Sequence, residues 1–99
     1  MRAMDEYNEL MRRKMEALAE TFPSMRGVSA VKPWDADLLD HWARTASHGE
    51  RATALFLLTV WNRYDPWESG KWDAVDALLI WDDLHRKAFV KWAAAPWFA

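Results

Sequence analysis

Cysteine is absent from the 99 residues, which removes disulfides, thiolate nucleophiles and thiolate-ligated zinc or iron–sulfur centres. Glycine is scarce, at three residues. No glycine-rich phosphate loop and no G-x-S-x-G elbow can be assembled from Gly27, Gly49 and Gly70. An excess of either charge is also missing. Thirteen Lys and Arg stand against fifteen Asp and Glu, a formal −2, so the chain as a whole has no pull on a phosphate backbone. The uncharged stretch Ala52–Trp61 counts ten residues, against the ~20 that a helix needs to cross a bilayer. The opening Met1-Arg2-Ala3-Met4-Asp5-Glu6 turns acidic at once and lacks the apolar core of a signal peptide. These absences lead to the expectation of one cytoplasmic domain, residues 1–99, with no cofactor and no membrane contact.

What is present is apolar and periodic. Hydrophobic residues make up 52% of the chain, too many for a disordered segment. Met4, Tyr7, Met11, Met15, Leu18 and Phe22 recur at spacings of three or four, which draws one stripe down a helix. Pro23 closes that helix. The methionines on and near the stripe (Met4, Met11, Met15, Met25) suggest an adaptable packing surface. A long loop at 22–34 follows, with a short strand at Val28–Val31 as an option. Asp35 is placed to cap a second helix running to about Ala46, and Trp34 and Leu39 occupy the two positions of a hydrophobic staple.

Ser47-His48-Gly49-Glu50 fits the S-x-x-E capping box at the start of a third helix. That helix, Arg51 to about Asn62, is apolar on nearly every side, the mark of a central one. A second loop at 63–72 leads to Asp73, a cap for a fourth helix whose apolar residues are Val75, Leu78, Leu79 and Trp81. A kink or break near Asp82 is expected, because the apolar face drifts before Leu84, Ala88, Phe89 and Trp92. The fold class is therefore all-α, a compact bundle of four to five helices.

Eight tryptophans are the compositional anomaly. Trp42, Trp61, Trp81 and Trp92 fall on helix faces, and Trp34 has its staple partner. Trp67, Trp72 and Trp97 stand at helix ends or in loops. They either plug the ends of the bundle or form a recognition surface, since tryptophan offers a large apolar area and one N–H donor. Charge bears on that choice. Residues 33–99 hold seven basic and ten acidic residues, whereas residues 1–32 hold six and five. Asp65, Glu68, Asp73 and Asp76 lie beside Trp67 and Trp72, so the surface is acidic and suits a basic protein surface or a cationic ligand.

Chemistry-bearing patterns are few. His48-Gly49-Glu50 matches the H-x-E half of a zinc deaminase signature, but the cysteine half does not exist. Asp37, Asp40 and His41 cluster near one helical turn, as do Asp82, Asp83 and His85, which makes the second group a weak metal candidate. Both lack the E-x-x-H or H-E-x-x-H spacing, and a solvated helix face or an N-cap is the better reading, with Asp82 or Asp83 capping the last helix. Four serines (Ser24, Ser29, Ser47, Ser69) have no recognisable nucleophile context. Arg12-Arg13-Lys14 and Arg86-Lys87 with Lys91 are small basic groups, short of the stripe a nucleic-acid binder carries.

The expected function is binding, not catalysis: a small regulator, inhibitor or accessory subunit that meets a protein partner through Trp67, Trp72, Trp97, Glu68, Asp73 and Asp76. The alternatives are a metal-dependent or hydrolytic enzyme on an Asp/His cluster, and a helical homo-oligomer with an accessory nucleic-acid role. No small-molecule substrate is indicated.

Overall fold

The computed structural model describes residues 3–99, and every regular element among them is helical. Five α-helices follow in order: α1 (Ala3–Glu20), α2 (Ala36–Ala43), α3 (His48–Trp61), α4 (Ala74–Ile80) and α5 (Asp83–Ala94). One 3₁₀ turn, Pro23–Met25, lies between α1 and α2. No strand forms at Val28–Val31; the stretch is built of turns, with an isolated bridge between Val31 and Trp34. None of the described helices is long and apolar enough to cross a membrane.

The helices begin where side chains satisfy their first-turn amides, which have no partner within the helix. Asp35 accepts from the Leu38 amide at 3.1 Å, and Asp73 from the Asp76 amide at 3.1 Å. Ser47 and Glu50 close both halves of the capping box at 3.3 and 3.0 Å. Asp82 accepts from the His85 amide at 2.9 Å, and this cap creates the break between α4 and α5. The break is where the sequence places it.

α3 is the central element. It packs against α1, α2, α4 and the 3₁₀ turn, and Ala52 through Leu58 are buried without interruption. Phe56 is its hub: its ring lies 5.0–6.2 Å from those of Phe22, Trp72, Trp81, Phe89 and Trp92. Three of these pairs are edge-to-face, the arrangement the ring quadrupole favours.

Several expectations need correction. The α1 stripe is buried only from Met11 onward; Met4 and Tyr7, on its first two turns, are exposed. The methionines do not form one adaptable surface. Met15 and Met25 are fully buried core, and Met4 is in solvent.

α2 stops at Ala43, not Ala46. The amides of Arg44, Thr45 and Ala46 bond back three residues, and the Arg51 side chain donates to the carbonyls of Ala43 and Arg44. Those carbonyls are thereby satisfied without another helical turn. The apolar side chains of α4 point outward: Val75 is 68% and Leu79 78% exposed, while Ala77 and Trp81 take the buried side. Trp81 is the C-cap of α4, not a residue of its interior, and it fills the space at the α4–α5 corner.

Candidate functional site

The segment between α3 and α4 carries two of the three unassigned tryptophans, and its shape is held from outside. Asp40, on α2, accepts hydrogen bonds from the Glu68 amide (3.0 Å), the Ser69 amide (2.9 Å) and the Ser69 hydroxyl. Burial alone raises the Asp40 carboxyl, but the Ser69 hydroxyl, the Ser69 and Glu68 amides and the Arg44 charge outweigh it and hold the pKa below its ordinary value. Gly70 completes the turn. Its amide bonds to the Trp67 carbonyl at 3.2 Å and its φ is +127°, a conformation that disfavours a side chain.

Trp67 and Trp72 are both half-buried against the core. The Trp67 indole N–H donates to the Asn62 carbonyl at 3.2 Å. Trp72 stacks at a tilt on Phe56 and Phe89, with centroids at 5.2 and 5.6 Å. Its indole nitrogen is buried without a hydrogen-bond partner among the described residues.

Trp67 forms a wall between two hollows. One, about 450 Å³, is lined by Asp37, Asp40, His41, Asp65 and Glu68. The other, about 730 Å³, is lined by Thr59, Arg63, Tyr64, Lys71 and Trp72. Arg63 is folded onto its neighbours, with its guanidinium 4.5 Å from the Tyr64 ring centroid and 5.3 Å from that of Phe98.

The remaining candidates are spread. Glu68 pairs with Arg44 at 3.2 Å, and both side chains are largely exposed. Asp76 meets His48 at 2.7 Å, and Asp73 is spent on the α4 cap. Trp97 lies in a different hollow, where its ring sits 4.3 Å beneath the Lys14 ammonium. The six residues named from sequence therefore do not form one patch.

The Asp82, Asp83 and His85 cluster does not converge as a metal centre. Among the described residues no three His, Asp or Glu side chains gather as ligands. Asp83 turns to Arg86 at 3.1 Å. Asp82 and His85 instead form a relay that reaches a serine 61 residues away: His85 Nδ1 lies 2.7 Å from Asp82 Oδ1, and His85 Nε2 lies 2.8 Å from Ser24 Oγ. The Ser24 amide also donates to Nε2 at 3.2 Å. That fixed donor makes Nε2 the acceptor and places the ring proton on Nδ1, facing the carboxylate.

Hydrogen bonds from the backbone amide and then the side chain of His85 hold the Asp82 carboxyl below its usual value. Below it Thr53, fully buried, accepts from the Trp81 indole N–H at 2.8 Å and donates to the Gly49 carbonyl at 3.0 Å; its Oγ1 lies 3.5 Å from Ser24 Oγ, whose one proton serves either Thr53 or His85 Nε2. The arrangement has the order and tautomer of a Ser-His-Asp nucleophile. It lacks flanking oxyanion donors, because the Met25 and Arg26 amides are bonded to the Phe22 and Pro23 carbonyls.

Sequence reasoning missed Ser24, Thr53 and the anchoring role of Asp40. Only Asp40 had a local signal, a carboxylate with no helix end to cap. Comparison with known proteins places no relative beside this chain: no family model, no curated protein and no solved structure matches it.

Proposed function

We propose that this protein is a binding module that receives a basic segment of a protein partner on the face around Trp67. The observation that carries the reading is the Asp40-anchored turn. It holds a half-exposed indole in place beside a hollow lined by Asp37, Asp65 and Glu68. An ordered indole loses little entropy on binding, and a Lys or Arg side chain laid on its face gains a cation–π contact as well as the carboxylates. Trp72 stiffens the turn from beneath, and Trp97 takes no part in this face.

The test is a titration with a short Lys/Arg-rich peptide and with an acidic peptide of equal length. The basic peptide binds saturably, and Asp37→Asn with Asp65→Asn weakens it by about tenfold. These positions are exposed, so the double variant stays folded. Equal binding of the two peptides, or no effect of the double variant, removes the reading.

A second reading, hydrolysis at Ser24, is favoured by the Asp82–His85–Ser24 relay alone. In it Ser24 Oγ attacks an activated ester, and its proton passes to His85 Nε2 and on to the leaving alcohol. A water deprotonated by the same Nε2 then attacks the acyl-serine, the acid leaves, and Ser24 Oγ recovers the proton. Turnover of p-nitrophenyl acetate that is lost in Ser24→Ala supports it. Equal turnover in the two proteins dismisses it and leaves the relay as a pin between the 3₁₀ turn and α5.

A further inference from the structure

Away from the Trp67 face, α1 and α5 run beside one another with a gap between them, and their facing residues repeat at the same spacing. From α1 and the turn that follows it come Lys14, Ala17, Leu18 and Thr21; from α5 and its C-cap come Ala88, Lys91, Trp92 and Ala95. Each set is i, i+3, i+4, i+7, one face of a helix. The small alanines leave room that larger residues would fill. The result is an open hollow of about 300 Å³, with Trp97 among its walls.

This wall is built. The Trp92 indole N–H donates to the Trp97 carbonyl at 3.1 Å and draws the C-terminal segment back, while the Ala99 amide bonds to the Val60 carbonyl at 3.0 Å. Trp97 is thereby set as a wall instead of a loose tail.

The charge of this hollow is opposite to that of the chain. The protein carries a formal −2, yet the two ionisable residues that line the hollow are Lys14 and Lys91, with no carboxylate among its lining. Neither lysine takes part in an ion pair among the described residues. They come from the two small basic groups that stand far apart in the sequence, and the fold brings one member of each to the same rim.

We infer that this groove binds a small amphipathic carboxylate, with the apolar body along the alanines and between Trp92 and Trp97, and the carboxylate at Lys14 and Lys91. A medium-chain acid, such as an eight-carbon one, covers the apolar floor while its head group meets the lysines, whereas a bare inorganic anion leaves that floor unused. The inference is independent of the Trp67 face, since the two share no lining residue.

Calorimetric titration of the full chain with octanoate, octanol, octylammonium and inorganic phosphate tests it. Octanoate binds one-to-one with a Kd below about 1 mM, octanol binds about tenfold more weakly, and octylammonium and phosphate give no saturable heat. Lys14→Gln and Lys91→Gln each weaken octanoate by about threefold to tenfold and leave octanol unchanged. Ala17→Trp, at an exposed α1 position that tolerates a large side chain, fills the hollow and abolishes binding of both. The inference is overturned by any one of three results: no saturable octanoate binding, octylammonium or phosphate binding as well as octanoate, or lysine variants that bind octanoate as the parent does.

Discussion

The Trp67 face and the α1–α5 groove are made of the same parts and differ in sign. Each sets a half-buried tryptophan from an irregular segment beside a helix and ties that segment down by a side-chain hydrogen bond, from Asp40 on a remote helix in the one and from Trp92, five residues upstream, in the other. At the Trp67 face the tie is Asp40, and the carboxylates Asp37, Asp65 and Glu68 line one hollow while Arg63 and Lys71 line the other side of the indole. At the groove the tie is the Trp92 indole, and the ionisable residues are Lys14 and Lys91. A net charge near zero thus conceals one hollow lined by carboxylates and another lined by lysines. What a tryptophan can recruit is decided by the charges the fold gathers around it.

The largest expected effect removes what the two regions share. Phe56 touches Trp72 beneath the one and Trp92 beside the other. Phe56→Ala empties the centre of the aromatic cluster and costs about 3–5 kcal/mol, a large part of a small domain's stability. Thermal unfolding shows a fall in Tm of more than about 12 °C, and both binding activities are lost together. Retention of either one shows that region to be independent of the core.

A smaller change separates the regions. Asp40→Ala releases the Glu68 and Ser69 amides and costs about 1–3 kcal/mol, abolishing basic-peptide binding while octanoate binding persists. It also alters the acid limb. Asp40, Glu50 and Asp82 all have lowered pKa values. The stability they add is complete above their ordinary values near pH 4 and is withdrawn as pH falls through the lowered native ones. Denaturant unfolding between about pH 5 and about pH 2 therefore loses less stability in Asp40→Ala than in the parent. An equal loss in both shows that the carboxylate is not held as the geometry requires.

Much of the fold was legible because its signals are local. A cap and the amide it serves lie three residues apart, so Asp35, Ser47, Asp73 and Asp82 announced four helix starts. The uniformly apolar α3 announced the centre. Orientation was harder for α4: in seven residues an outward Val75 and Leu79 look no different from an inward pair, and only the bulk of Trp81 in the core decides between them. The sites were hardest, because their partners are remote. Asp40 lies 28 and 29 residues from the amides it binds, and His85 lies 61 from Ser24. No spacing rule reaches that far. The groove had a trace, the matched spacings of 14–21 and 88–95, but the stronger stripe from Met11 to Phe22 on the same helix masked it.

The mildest change acts on the groove alone. Trp92→Phe keeps an aromatic ring against Phe56 and deletes the N–H that holds the Trp97 carbonyl, at a cost of about 1 kcal/mol. Octanoate binding weakens by about tenfold, and basic-peptide binding is unchanged. A loss of peptide binding in this variant ties the two regions together after all.

The opposite preference of the two regions is tested most directly by amide chemical-shift mapping on the isotopically labelled chain, with the basic peptide and octanoate added separately and then together. The expected result is two sets of shifted amides that do not overlap, one over residues 37–41 and 65–69 with the peptide, one over residues 14–21 and 88–97 with octanoate, each unchanged by the other ligand. A single shared set, or shifts from the peptide at Lys14 and Lys91, contradicts it.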